Sequence, residues 1–134
     1  MRLVEWAASR LLMTLDAAPD PPPPWLRTAM TCDLSRPDLA AALYDALLVE
    51  AARSYRLVQL AEALAVGAAQ PALHTATFAR ALAFLLDQQL EDGFVGVNRL
   101  LAEAERLAMA AEAQSAIAAC LQSIGEQLAA AERP

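Results

Sequence analysis

The longest regular pattern in the chain lies in residues 98–131, which read NRLLAEAERLAMAAEAQSAIAACLQSIGEQLAAA. Leucine recurs there at one heptad position, and alanine or glycine recurs at a second. A large residue of one helix fits over a small residue of its neighbour, so this alternation predicts one continuous helix that packs closely against another. We call this set the seam; its members are Leu100, Ala104, Leu107, Ala111, Gln114, Ala118, Leu121, Gly125 and Leu128.

Two kinds of partner are compatible with the seam. The first is intramolecular, because a second predicted helix is also rich in alanine, in the stretch DLAAALYDALL at residues 38–48. The second is another protein chain, either a further copy or a different protein. Gln114 stands at a leucine position of the seam, and a single polar residue in such a place commonly fixes helix register at a cost in stability. The seam is therefore a candidate protein interface.

Two further helices are predicted in the middle of the chain. A long one over residues 36–66 begins after Ser35, a favoured N-cap residue. Apolar residues cover most of its circumference, which is typical of a helix packed on more than one side. A shorter one over residues 76–92 follows, with Thr75 or Thr77 as its N-cap.

The first 18 residues predict an amphipathic helix, over residues 2–17. Trp6 and Met13 depart from its pattern, because they lie together, seven residues apart, on the charged side. One interpretation is two partly covered surface side chains. The other is a contact patch for another subunit, since tryptophan and methionine are enriched at interfaces. Both residues are therefore candidate interface residues.

Proline dominates the connector that follows, residues 19–34, which opens with PDPPPPWLR. Pro21–Pro24 exclude a helix, because proline lacks the N–H group and restricts the residue before it. We expect a stiff polyproline II strut, with Trp25 as the anchor at its far end and a candidate interface residue. A ligand for an SH3- or WW-type groove is the alternative interpretation.

Together these segments predict an all-α fold, a four-to-five-helix bundle with two long helices and a proline-rich connector after the first helix. The length of 134 residues is typical of one domain. That domain comprises an N-terminal helix (1–18), the connector (19–34) and the main bundle (35–134). Hydrophobic residues make up 57% of the chain, and sequence patterns typical of strands are scarce.

Charge and cysteine usage limit the partners and the compartment. The ten basic residues are all arginine and the net charge is −6, which disfavours non-specific nucleic-acid binding. Glu5 and Arg10 interrupt the first apolar stretch, so a signal peptide is not expected, and no run is long enough to span a membrane. Cys32 and Cys120 form no CxxC pair. We expect reduced thiols in a cytoplasmic bacterial protein, with no membrane partner.

Side chains suited to catalysis are few. His74 is the only histidine, so a histidine-based metal site cannot form within one chain. Asp87, Glu91 and Asp92 cluster near one predicted helix end, where a solvated end is the ordinary interpretation and a cation site the alternative. No phosphate-binding glycine motif is present. We therefore expect no catalytic residue, no cofactor, no metal and no enzymatic activity.

One basic stretch, RSYR at residues 53–56, is predicted on the exposed side of the long helix. Two arginines beside a tyrosine can hold a phosphate backbone and stack a base, which makes Arg53, Tyr55 and Arg56 a possible phosphate contact. The alternative is ion pairing with neighbouring acids such as Glu50.

These observations predict a non-enzymatic helical interaction protein, a small structural or adaptor subunit of a larger multi-protein complex. Its partners are other protein chains, in a homo- or hetero-oligomer. One alternative is a small helical subunit of a nucleic-acid-guided, CRISPR-type effector complex, by analogy of size and helicity alone; the net charge disfavours it. Another is an acidic inhibitor or chaperone that binds the basic groove of a partner.

Overall fold

The structure is a computed structural model that describes residues 37–70, 73–110 and 112–132. Across these ranges it is helical, without strands, and the predicted all-α class is confirmed. The predicted N-terminal helix, the connector and the candidate residues Trp6, Met13 and Trp25 lie outside the described residues. The α-helices in chain order are α1 (Pro37–Arg53), α2 (Leu57–Ala68), α3 (Ala76–Leu86), α4 (Val95–Ala108) and α5 (Gln114–Glu132).

The predicted helix over residues 36–66 is not continuous, because the structure divides it into α1 and α2. Tyr55 adopts a φ of 54°, in the left-handed region. Its N–H donates to the Ala52 carbonyl at 3.2 Å, and the N–H of Arg56 donates to the Ala51 carbonyl at 2.8 Å. This pair of hydrogen bonds is the Schellman motif that ends helices, usually with glycine where Tyr55 stands. The prediction of a first long helix is thereby corrected.

The predicted helix over residues 98–131 is also divided, into α4 and α5. The N–H groups of Met109 and Ala110 both donate to the Leu107 carbonyl, which tightens the last turn of α4. The N–H of Ile117 donates to the Ala113 carbonyl at 2.8 Å and opens α5. The two helices then pack against each other, so the apolar stripe is covered within a hairpin.

Helix α2 lies at the centre of the described bundle. It contacts α1, α3 and α5, with its most extensive contact on α5. The buried apolar residues of all five helices join in one core. Its largest fully buried side chains are Tyr44, Leu47, Leu48, Leu60, Leu64, Leu85, Leu121 and Ile124.

Thr75 begins α3, as one of the two predicted caps. Its hydroxyl oxygen accepts a hydrogen bond from the Phe78 N–H at 3.2 Å and donates to Asp45 Oδ1 on α1 at 2.8 Å. The helix ends at Leu86 rather than at residue 92. Gln88 contributes to this end, because its side-chain amide donates to the Phe84 carbonyl at 2.8 Å.

The loop between α3 and α4 is fastened by one side chain. Asn98 Oδ1 accepts from the Leu90 N–H at 3.3 Å, and its Nδ2 donates to the Leu90 carbonyl at 3.2 Å. The carboxylates of Asp87, Glu91 and Asp92 are exposed in and beside this loop. The loop therefore carries the solvated acidic residues that the sequence places near a helix end.

Candidate protein-binding surfaces

The structure packs much of the predicted seam inside the chain. Four members are buried in the core between α4, α5 and α2. The contact is intramolecular, but α5 makes it with α2 and α4 rather than with the predicted stretch at residues 38–48, which lies in α1. A buried alanine or glycine opposite a buried leucine lets these helices approach closely. The four are Ala104, Leu121, Gly125 and Leu128.

The other described members of the seam retain some exposure. Leu100, Leu107 and Ala118 are half-buried against the core, whereas Gln114 is exposed at the first turn of α5. Ala111 lies outside the described residues. Gln114 therefore lies at the start of a helix, rather than in the middle of one as the sequence pattern predicted.

Gly125 marks the close approach of α5 to α2. A Cβ atom there would lie 3.6 Å from both the Ala61 Cβ and the Glu62 Cγ, and 3.7 Å from the Glu62 backbone nitrogen. These are ordinary van der Waals distances. The contact is close without requiring a glycine.

An open groove of about 990 Å³ runs along the outer side of the contact between α2 and α5. Seven of its twelve lining residues are alanine or glycine, so both walls are low and apolar. We call it the α2–α5 groove; α2 contributes Glu62, Ala65, Val66 and Ala69, and α5 contributes Ser115, Ala118, Ala119, Gln122, Gly125, Glu126, Ala129 and Ala130. A groove of this kind can accept a helix from another protein.

Two of the predicted interface residues, Ala118 and Gly125, line this groove. Sequence reasoning missed its other α5 members, among them Ser115, Ala119 and Gln122. The signal that marks this face is a set of small residues at helical spacing, Ser115, Ala119 and Ala129, each one position after a member of the seam.

The stretch RSYR does not continue along a helix: Arg53 is the exposed last residue of α1, and residues 54–56 form the turn to α2. The Tyr55 ring packs edge-on against Phe84, with centroids 6.4 Å apart and planes at 88°. Its hydroxyl donates to Gln88 Oε1 at 2.8 Å. Arg53 lies 3.9 Å from Glu50, in the ion pair considered as an alternative. The tyrosine is thus held by contacts within the chain, although its side chain stays 55% exposed.

Arg106 on α4 is paired with an acidic residue of its own helix. Its Nε donates to Glu103 Oε2 at 3.1 Å, and its Nη2 donates to Glu103 Oε1. These hydrogen bonds hold the pKa of the Glu103 carboxyl below its ordinary value. Both side chains are exposed, Arg106 to 68% and Glu103 to 48%, so the pair contributes little to stability.

Two buried titratable groups, Tyr44 and Cys120, make hydrogen bonds to backbone carbonyls within the chain. The Tyr44 hydroxyl donates to the Ala63 carbonyl, and burial raises the tyrosine pKa above its ordinary value. The Cys120 thiol donates to the Leu100 carbonyl at 3.1 Å across the α4–α5 contact. Burial, followed by the negative charge of Glu103, raises the pKa of this thiol. A raised pKa keeps the thiol protonated and unreactive near neutral pH.

His74 packs within the same region as Tyr44. Its ring stacks on Phe78 with centroids 4.8 Å apart, and its Nε2 lies 2.9 Å from the Gly67 carbonyl. Within residues 37–70, 73–110 and 112–132, no cluster of three His, Cys, Asp or Glu side chains could hold a metal ion. In the same ranges, none of the helices combines the length and apolar content needed to cross a membrane.

Comparisons of the chain with protein-family models, with curated proteins and with solved structures find no match.

Proposed function

We propose that this chain is a non-enzymatic subunit or adaptor that binds another protein through the α2–α5 groove. The observation that carries the proposal is the groove itself, about 990 Å³ in volume and walled mainly by alanine and glycine. Low walls permit a partner helix to approach the backbones of α2 and α5, and larger side chains on that helix would fill the space.

The test compares two alanines of α5 that are both exposed. Ala119 lines the groove and Ala116 does not. We expect Ala119→Arg to obstruct the groove with a long charged side chain, whereas Ala116→Arg leaves it open. Arginine favours helix about as well as other long side chains do, so both variants should unfold at similar urea concentrations.

The measurement is affinity capture from lysate of the producing cells, with quantitative mass spectrometry and the tag alone as background. We expect specific proteins to be retained by the wild-type chain and by Ala116→Arg, and to be lost with Ala119→Arg. Equal retention by both variants would exclude the groove, and no retention above background would contradict the proposed function.

Light-scattering chromatography separates a homo-oligomer from a hetero-oligomer. If the occupant is a second copy, the purified wild-type chain and Ala116→Arg should have the mass of an oligomer, while Ala119→Arg has that of one chain. If the occupant is a different protein, all three should have the mass of one chain, with the difference between variants confined to the capture experiment.

A further inference from the structure

A second apolar pocket, of about 250 Å³, lies between α1 and α3, on a surface that the proposed function does not use. Its floor is formed by core alanine and leucine side chains, and its rim carries Val49, which is 50% exposed. Apart from Leu48, the lining residues are Val49, Ala52, Thr77, Arg80, Ala81 and Phe84. The pocket has the size and character to receive one bulky apolar side chain.

Phe84 forms the aromatic wall of this pocket, and contacts with Tyr55 and Gln88 hold it in place. Phe84 contacts the Tyr55 ring edge-on, and the Tyr55 hydroxyl donates to Gln88 Oε1. The Nε2 atom of Gln88 donates to the Phe84 carbonyl. Tyr55 keeps this place in spite of a left-handed φ of 54°, which is unfavourable for a residue with a side chain. The wall is thus positioned before any ligand arrives.

The charged residue that lines this pocket is basic, although the chain as a whole is acidic. Arg80 lines the pocket and is exposed. Arg53 follows Ala52 at the end of α1, and its side chain is 78% exposed, with Glu50 at 3.9 Å. By contrast, the charged residues that line the α2–α5 groove are Glu62 and Glu126. Exposed arginines beside an apolar pocket complement a ligand with an apolar side chain flanked by carboxylates.

We infer that the pocket between α1 and α3 binds an acidic peptide segment of a partner protein. One bulky apolar side chain of that segment enters between Val49 and Phe84, and a flanking Asp or Glu side chain pairs with Arg80. A peptide suits this surface better than nucleic acid does, because the pocket is apolar and Arg80 is the one charged residue among those that line it.

The experiment selects ligands from a phage-displayed library of random peptides on the immobilised full chain. We expect the enriched peptides to share one bulky apolar residue flanked by Asp or Glu. A fluorescein-labelled enriched peptide should bind Val49→Asp and Arg80→Glu about tenfold or more weakly, as measured by anisotropy. Arg99→Glu is the matched control, since Arg99 is an exposed arginine of α4 outside the pocket, and its binding should equal that of the wild type.

Amide resonances of the isotope-labelled protein locate the bound peptide. Shifts concentrated at Val49, Ala52 and Ala81 would support the inference. The inference is overturned if no peptide is enriched, if enriched peptides lack acidic residues, or if Val49→Asp binds them unchanged. These variants lie on α1 and α3, so such a failure leaves the proposed function of the α2–α5 groove standing.

Three other ligands of this pocket would each give a different experimental result, and each of these results would overturn the inference. A labelled single-stranded oligothymidylate that binds the wild type and not Arg80→Glu would assign the surface to nucleic acid. A Trp25→Ala variant that shifts the pocket resonances without added peptide would assign it to the connector of this chain. A dimer that Val49→Asp converts to single chains would assign it to a second copy.

Discussion

Of the four glycines, Gly67 leaves the least room for a Cβ atom, because it packs against Tyr44. A Cβ atom at Gly67 would overlap the Tyr44 hydroxyl oxygen and lie 2.8 Å from the Phe78 ring. Both aromatic side chains are buried, so neither can move aside freely. We expect Gly67→Ala to lower the free energy of unfolding by about 1–3 kcal/mol, as overpacked cores do, in urea denaturation followed by circular dichroism.

Gly125 supplies the matched control for this substitution. Its added Cβ would meet neighbouring atoms at 3.6 Å or more, and alanine favours helix over glycine by about 1 kcal/mol. Gly125→Ala should therefore leave stability unchanged or raise it. Tyr44→Phe should restore part of the stability lost in Gly67→Ala, because it removes the overlapping oxygen. Equal stability of the two alanine variants would show that Gly67 is not closely packed.

Tyr55 illustrates a residue whose conformation the sequence does not reveal. Helices usually end at glycine when the closing residue must be left-handed, and the sequence around residue 55 contains neither glycine nor proline. The contacts that favour this turn, to Phe84 and Gln88, come from a helix about 30 residues later in the chain. Local pattern therefore predicted helix, and tertiary contact decided otherwise.

The elements themselves depend on a small number of tertiary hydrogen bonds. Asn98 joins α4 to the preceding loop through two bonds with the Leu90 backbone, at 3.3 and 3.2 Å. Hydrogen bonds contribute about 0.5–1.5 kcal/mol each, so we expect Asn98→Ala to lower the free energy of unfolding by about 1–3 kcal/mol. Amide hydrogen exchange of Leu90 should accelerate in this variant.

Asn98→Asp distinguishes the contributions of the two hydrogen bonds between Asn98 and the Leu90 backbone. The carboxylate keeps an acceptor for the Leu90 N–H and loses the donor to the Leu90 carbonyl. We therefore expect Leu90 exchange to stay slow in Asn98→Asp, with a smaller loss of stability than in Asn98→Ala. Unchanged Leu90 exchange in Asn98→Ala would argue against the clamp.

The contact between α4 and α5 predicts a pH dependence. Burial raises the pKa of the Cys120 thiol in the folded chain, so the unfolded chain releases this proton at a lower pH than the folded chain does. The resulting stability is fully present below the ordinary thiol pKa of about 8.5 and is lost as pH rises from there through the folded pKa. We expect the unfolding free energy, measured with a reducing agent, to fall from pH 8 to pH 10.

Cys120→Ala is the comparison for this pH series. It removes the titrating thiol and keeps a small apolar side chain in α5, while Cys32 remains in both proteins. The variant should be less stable at pH 7, because it loses packing and the hydrogen bond to Leu100, and should lose less stability on the way to pH 10. Parallel curves for the two proteins would contradict a raised pKa at Cys120.

The sequence predicted the identity of the helical faces better than the lengths of the helices. Ala104, Leu121 and Leu128, which the seam groups together, are buried within the chain. A heptad pattern continues through the α4–α5 turn, so the hairpin could not be distinguished from one long helix by periodicity. The hairpin is favoured because α5 packs against both α4 and α2. A local sequence pattern does not report such contacts between helices.

For the molecule as a whole, the candidate surfaces were only partly predictable. Ala118 and Gly125 were predicted as interface residues and line the α2–α5 groove. The pocket between α1 and α3 was not predicted, because it joins residues about 30 positions apart whose helices become neighbours only in the fold. The kinds of side chain on the surface could be inferred from the composition. Which of them lie side by side depends on how the helices pack.

The net charge of −6 predicts the behaviour of the whole molecule toward nucleic acid. Affinity for a phosphate backbone grows with the number of phosphates that basic side chains neutralise, and Arg106 is paired with Glu103 while Arg53 lies near Glu50. We expect no gel retardation of single-stranded DNA by micromolar protein at about 50 mM salt, the condition that most favours such binding. The double variant Arg53→Ala/Arg56→Ala should behave as the wild type does. A salt-sensitive shift that the double variant loses would contradict this expectation, and would favour a subunit of a nucleic-acid-guided complex over a protein adaptor.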